Sequence, residues 1–180
     1  MLNIVLIGNE MHYTWTPAAS EDIATIVAMA EQHFQREIDS IFKPEPIVYS
    51  RNITFAVVNQ YYNPRAELLS VAKDSNGTMI AYTWAKSGEY APWSDNEMVS
   101  VRMAHVSLDL PAKTRVSLIK DMINLWEGWA KIIQVNIVCS TTMRHDQGAF
   151  LKLHAKMGYD IRGSYAYKKL NTLQTGLPIP

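Results

Sequence analysis

Near its carboxyl end the chain reads GAFLKLHAKMGY over residues 148–159, and no other stretch carries as specific a structural signal. The sequence predicts a helix over residues 146–156 that stops at Gly158. Glycine adopts the left-handed backbone conformation that ends many helices. Residues 164–170 then predict a closing strand, so the carboxyl end of the domain reads as helix, turn and strand.

A strand is predicted over residues 98–110, some forty residues before this helix. Its apolar side chains lie on one face of the sheet in the first half of the strand and on the opposite face in the second half. Val101 and Met103 occupy odd positions, whereas Val106 and Leu108 occupy even ones. One extra residue in a strand moves every later side chain to the opposite face of the sheet, which is the effect of a β-bulge. We therefore predict a bulge near Met103.

The remaining periodicity completes an alternation of strands and helices. Ser20 has the side chain of an N-cap for the first helix, and the prolines at 44 and 46 mark a linker loop. The predicted strands cover residues 4–7, 12–16, 67–73, 78–87 and 133–140. The other predicted helices cover residues 20–37, 49–62 and, after a connection at 112–115, about 116–131. This order predicts an α/β domain over residues 12–170, with an amino-terminal extension at 1–11 and a tail at 171–180.

Composition limits the classes of function. Of 180 residues, 17 are basic and 17 acidic, so the chain lacks the positive charge of a general nucleic-acid-binding protein. It has no apolar run long enough for a membrane span and no signal-peptide pattern at its start. Cys139 is the single cysteine and cannot form an intrachain disulfide, which favours a reducing compartment, the cytoplasm. We expect neither nucleic acid nor membrane as a partner.

The second half of the chain resembles the GNAT (Gcn5-related N-acetyltransferase) superfamily. The resemblance rests on the strand ending at residues 106–111, the helix after it, the strand at 133–140, and the stretch 148–159, which is similar to the family pattern A-x-x-L-Y-x-K-x-G-F. It implies the GNAT fold, a mixed and mostly antiparallel sheet with splayed central strands and helices on both faces. It also implies transfer of an acetyl group from acetyl-CoA to an amine acceptor.

The resemblance assigns a binding site for the cofactor. In this family the pantetheine arm binds strand backbone, which here falls at Val106, Leu108 and Leu110. The pyrophosphate binds a loop of pattern Q/R-x-x-G-x-G/A, which aligns with Thr114, Arg115, Val116, Ser117, Leu118 and Ile119.

The sequence departs from that loop pattern at both glycine positions. Ser117 replaces the first glycine and Ile119, a β-branched residue, replaces the second; a register shifted by one residue leaves Leu118 and Lys120 there instead. Lys113 and Arg115 could neutralise the phosphates with their side chains. The resemblance therefore implies acyl-CoA binding with an altered phosphate site.

Two histidines are candidate catalytic residues. The family takes its general acid from a tyrosine in the last helix, at the position of His154, and histidine can donate a proton near neutral pH. His105 is the candidate base, because after the bulge it shares a strand face with Ser107 and Asp109. The alternatives are that His154 is a polar residue at the sheet end and that His105 is a solvent-exposed strand residue.

The departures from the family pattern support a second hypothesis. The chain could be a catalytically degenerate GNAT-fold protein that binds other proteins. A virion component is one example, since the sequence also resembles GNAT-like proteins of tailed phages. Tyr82, Trp84, Tyr90 and Trp93 could wall an acceptor pocket or present a protein-binding surface. A metal site at His145 and Asp146 would lack further ligands, so we predict none.

Overall fold

A computed structural model describes residues 12–36, 42–144 and 147–163 of the chain. The predicted strands at residues 4–7 and 164–170, and the tail at 171–180, lie outside these ranges. The strands are β1 (Tyr13–Pro17), β2 (Glu67–Asp74), β3 (Met79–Tyr90), β4 (Glu97–Val106) and β5 (Ile137–Ser140). The α-helices are α1 (Ile23–Arg36), α2 (Pro46–Tyr62), α3 (Ala112–Ile132) and α4 (Gln147–Lys156).

The five strands form one sheet in the order β1-β2-β3-β4-β5. Neighbouring strands from β1 to β4 pair in antiparallel fashion, and β4 and β5 pair in parallel fashion. Because alternate side chains of a strand point to opposite faces, the sheet supports two cores. One packs α1 and α2 against residues such as Val71 and Tyr82. The other packs α3 and α4 against residues such as Ala72 and Val99. The predicted α/β class, with a mixed sheet and helices on both faces, is confirmed.

The predicted bulge in β4 is confirmed at Arg102. Trp84 of β3 pairs with Met103, and the next residue, Ala85, pairs with Val101, so Arg102 has no partner in β3. On its other side β4 pairs with β5 only from Met98 to Val101. Pairing between the two strands therefore stops at the bulge, where β5 ends at Ser140. We call the space beside β4 beyond this point the β4–β5 gap.

The carboxyl end of β4 differs from the prediction, which continued the strand to residue 110. The strand ends at Val106, and the amide of Ser107 donates the last bond of the ladder to Ile80 O at 2.8 Å. Since β3 begins at Met79, no paired strand remains beyond this point. Leu108 and Leu110 consequently lie in a turn, not on the strand where the sequence places them.

The predicted N-cap at Ser20 is wrong. Residues Ser20–Asp22 form a short 3-10 turn, and the carboxylate of Asp22 accepts a hydrogen bond from the Ala19 amide at 3.0 Å. Asp22 is buried and its other oxygen lies 2.7 Å from Lys73 Nζ. The Asp22 amide donates to Ala19 O at 3.1 Å, so the turn begins one residue earlier than predicted and Ala19 holds the N-cap position.

Four further boundaries differ. α3 begins at Ala112, so the predicted connection at residues 112–115 is its first turn. α2 begins at Pro46 and not at residue 49, because a proline at the first helical position loses no hydrogen bond. β3 continues to Tyr90, three residues beyond the prediction. β5 begins at Ile137 and not at residue 133, because the Val135 amide bonds to Ala130 O and continues the end of α3.

Candidate functional site

A cavity of about 480 Å³ lies at the end of β4, beyond the point where β4 and β5 separate. It is formed by α1, β4, α3, α4 and the segment after β5. Its walls are the side chains of Arg36, Val106, Ala112, Arg115, Val116, Ile119, Arg144, Ala149, Phe150 and Leu153. The charged residues among them are three arginines, and the others are apolar. Such a cavity suits a ligand with an apolar body and anionic groups.

The arginines reach the cavity from separate elements. Arg144 donates from Nη2 to Ala104 O at 3.3 Å, across the gap that opens after the bulge. Arg115 projects from the first turn of α3, and its buried Nε has no hydrogen-bond partner among the described residues. Arg36 is the last described residue of α1. Three arginines from separate elements therefore line one cavity of a chain whose formal net charge is zero.

The amino terminus of α3 adds to this positive charge. The first helical bond that begins here runs from the Arg115 amide to Pro111 O at 3.0 Å. Earlier amides of a helix have no partner within it, and the helix dipole places partial positive charge there. Ala112, in this first turn, lines the cavity, so an anion in the cavity would meet the helix terminus.

The predicted cofactor-binding residues divide into two groups. Val106, Arg115 and Val116 line the cavity. The remaining residues lie off its walls: Leu108, Leu110, Thr114, Ser117 and Leu118. Two of these have other contacts, since Ser117 Oγ lies 3.4 Å from Tyr13 Oη on β1 and Leu118 is fully buried in the α3 core. A helix exposes only one side to the cavity, so a run of consecutive residues cannot all face it.

His105 lies inside the interface between the sheet and α1. Its side chain is 2% exposed, which excludes the alternative of a solvent-exposed strand residue. Neither ring nitrogen has a hydrogen-bond partner among the described residues. Burial, together with the nearby His33 and Arg144, holds the pKa of His105 well below its usual value. The ring is therefore neutral at pH 7, with a free lone pair.

His154 faces α3 and not the cavity. It is 2% exposed, its ring centroid lies 4.0 Å from that of Phe150, and it also contacts Trp126 and Tyr159. Since a carbonyl can only accept, Nδ1 carries the proton and donates it to Phe150 O at 3.0 Å. Burial lowers the pKa of His154. The expected orientation toward the gap is wrong, because the helix turns Phe150 and Leu153 to the cavity instead.

Sequence reasoning missed three residues of the site. Arg36 and Arg144 line the cavity, and His33 donates from Nε2 to Val106 O at 2.9 Å. Arg36 and His33 share a helix face, being three residues apart, which is a usable signal. Nothing in the sequence, however, indicates that this helix crosses the end of β4.

Residues 12–36, 42–144 and 147–163 contain neither a cluster of metal ligands nor a helix that could span a membrane. No group of three or more His, Cys, Asp or Glu residues there is placed to hold a metal ion. In the same ranges no helix is both long and apolar enough to cross a membrane. His145 and Asp146 lie outside the described residues.

Comparison with known proteins identifies the fold. No protein-family model and no curated protein matches the sequence. Among solved structures, a "predicted acetyltransferase with acetyl-CoA" from Clostridium acetobutylicum aligns with TM-score 0.65 and 14% identity over 91% of this chain and 99% of its own. The aminoglycoside antibiotic 6'-N-acetyltransferase AAC(6')-Ih from Acinetobacter baumannii aligns with TM-score 0.63 and 16% identity over 88% and 98%. Glucosamine-6-phosphate N-acetyltransferase from Arabidopsis thaliana aligns with TM-score 0.60 and 9% identity over 88% of this chain and 99% of its own.

At these identities the similarity shows the fold. The chain has the GNAT fold, and the strands that separate at Arg102 are its splayed central pair.

Proposed function

We propose that this protein is an N-acyltransferase that moves an acetyl group from acetyl-CoA to an amine acceptor. The observation that carries the proposal is the cavity at the open end of the β4–β5 gap, where apolar walls meet three arginines and the amino terminus of α3. Acetyl-CoA combines an extended, largely uncharged pantetheine arm with phosphate groups. Proteins of the same fold, including the Clostridium protein named with acetyl-CoA, support this choice.

The pantetheine arm lies in the gap beside the unpaired edge of β4, from the bulge to Val106. On this stretch Ala104 O and Val106 O already accept hydrogen bonds from Arg144 and His33. Each carbonyl has a second lone pair, which an amide of an extended ligand can use. The phosphates lie at Arg115 and Ala112, at the start of α3. Val116 and Ile119 form the apolar floor of this part of the cavity, where the family pattern has the flexible loop.

His105 is the base in the proposed reaction. The amine nitrogen attacks the acetyl carbonyl carbon, its proton passes to the neutral imidazole, and the carbon–sulfur bond breaks to release a thiolate. His105 can take this role because its ring is unprotonated and both of its nitrogens are unpartnered among the described residues. Burial lowers the pKa of His105 and makes it a weaker base than an exposed histidine. Its burial means that the acceptor must displace part of the α1 interface to reach it.

The thiolate is stabilised by charge and not by a proton from His154. The single ring proton of His154 is bound to Phe150 O, and the ring lies behind the cavity wall. Arg144 lies across the gap at Ala104, nearer the bulge than Val106. A guanidinium stays charged at physiological pH, so Arg144 offsets the negative charge that develops on sulfur.

Calorimetric titration of the full chain with acetyl-CoA and CoA tests the proposal. We expect a dissociation constant near the micromolar range, followed by acetylation of at least one member of an amine panel. Absence of heat up to millimolar CoA would contradict it. That result would favour the second hypothesis, a GNAT-fold protein that binds other proteins, of which a phage virion component is one example. The side chains of Val116 and Ile119 at the phosphate loop are the observation in its favour.

A further inference from the structure

Two of the arginines that line the cavity, Arg36 and Arg115, belong to helices on opposite faces of the sheet. Arg36 ends α1, which packs on one face of the sheet, and Arg115 begins α3, which packs on the other. Both line the same cavity at the end of β4, beside Val106. Their side chains therefore approach one ligand volume from opposite faces of the sheet.

Neither arginine is engaged by an acidic side chain among the described residues. The ion pairs of the described chain use Arg65, Lys73, Lys86 and Arg102 as their basic members. Among the described residues that line the cavity there is no carboxylate, and the buried Nε of Arg115 has no acceptor among the described residues. A polyanion in the cavity would therefore meet both guanidinium groups without displacing a carboxylate of a described residue.

We infer that Arg36 and Arg115 form a clamp for a phosphate-bearing anion and replace the glycine-rich loop with side-chain contacts. A glycine loop binds phosphate through backbone amides, which requires close approach of the backbone. Ile119 and Val116 prevent that approach on this wall of the cavity. Guanidinium groups instead reach the anion from a distance and can bind its oxygens with two parallel N–H donors.

The clamp assigns a function to α1 that the sequence did not suggest. Because Arg36 follows His33 by one helical turn, the bond from His33 Nε2 to Val106 O fixes the end of α1 against β4. This contact positions Arg36 over the cavity. The inference that the clamp binds CoA rests on the proposed function. The inference that it binds a phosphate-bearing anion does not.

The clamp makes two predictions about ligands. Affinity should depend on the phosphates more than on the pantetheine arm, so CoA should bind at least tenfold more tightly than pantetheine. Inorganic pyrophosphate alone should bind and should compete with CoA. Affinity for both anions should fall as ionic strength rises, because the contacts are electrostatic.

The test is titration of pyrophosphate and CoA into the wild-type chain and into Arg36→Gln, Arg115→Gln and Arg51→Gln. Arg51 is an exposed residue of α2 outside the cavity, so its variant carries the same change in net charge. We expect the Arg36 and Arg115 variants to lose at least tenfold in affinity for pyrophosphate, and the Arg51 variant to match the wild type. Thermal unfolding without ligand verifies that each variant is folded.

The outcomes separate the two proposals. If CoA binds and Arg36→Gln binds it equally well, the clamp is wrong and the proposed function stands. If pyrophosphate binds through both arginines but CoA does not bind, the clamp stands and acyl-CoA is excluded as the ligand. If the wild type binds neither anion, both proposals are wrong.

Discussion

The imidazole rings of His33 and His105 lie 4.2 Å apart, centroid to centroid, in the interface between α1 and β4. Tyr82 completes the environment of His105, at 5.2 Å between ring centroids. His33 donates to Val106 O, whereas His105 has no partner among the described residues. The two neighbouring histidines thus differ in hydrogen bonding, since His33 is fixed by a carbonyl and His105 has no partner among the described residues.

Stability should fall in mild acid because of His105. Its folded pKa is lower than its unfolded value, so the native state prefers the neutral ring and the unfolded state binds the proton more readily. The stability is present above about pH 6.5 and is lost as pH falls below that value, by about 1.4 kcal/mol per pH unit for one such group. The burial of His154 acts in the same direction.

Urea unfolding of the wild type and of His105→Phe between pH 7.5 and pH 5 measures this effect. The variant keeps an aromatic ring but cannot be protonated, so its pH dependence should be shallower. If the free energy of unfolding depends equally on pH in both proteins, His105 does not cause the loss of stability in acid. If His105 is the base, the same variant also loses acetyl transfer while keeping CoA affinity.

His154→Phe should retain most acetyl transfer. The sequence alone predicts a large loss, because His154 holds the position of the family's acid. In the structure its proton is bound to Phe150 O and its ring packs against Trp126, away from the cavity. Steady-state kinetics of this variant, compared with Arg144→Gln, distinguish the two roles. A loss of a hundredfold or more in the rate of acetyl transfer in His154→Phe alone would show that His154 is the general acid.

Thr83→Val should destabilise the protein by about 1–3 kcal/mol, because it removes two buried hydrogen bonds. Trp126 Nε1 donates to Thr83 Oγ1 at 2.8 Å, and Thr83 Oγ1 donates to Met103 O at 3.0 Å, next to the bulge. Valine preserves the shape but leaves the indole N–H unpaired. Chemical denaturation measures the change, and Thr54→Val on the exposed side of α2 is the control, expected within about 0.5 kcal/mol of the wild type.

Ile119→Gly should strengthen CoA binding while it weakens the fold. Ile119 lines the cavity and also packs against the α3 core, so its removal enlarges the cavity and costs buried area. A glycine within a helix costs on the order of 1 kcal/mol relative to alanine, in addition to the lost burial. Titration and thermal unfolding of the same sample measure both effects. Affinity that falls together with stability would contradict obstruction by Ile119.

Local sequence patterns identified most of the fold. The change of parity between Val101 and Val106 located the bulge to within one residue, since alternation along a strand is a local property. Helix and strand periodicity, with Gly158 as the stop of the last described helix, indicated the α/β order for the same reason. Strand ends were less predictable, because β4 stops where its neighbour β3 begins, and that boundary depends on pairing between distant residues.

The sequence by itself determined the α/β order with a bulge in β4, and the absence of glycine at both positions of the family's phosphate-loop pattern. Only the tertiary structure decided which charges serve the cavity. Arg36 and Arg144 lie 108 positions apart in the chain and line the same cavity, which no local pattern can show. Likewise, motif position placed His154 at the site, but packing against Trp126 turned it away. Backbone periodicity is encoded over a few neighbouring residues, whereas side-chain direction depends on which elements pack against each other.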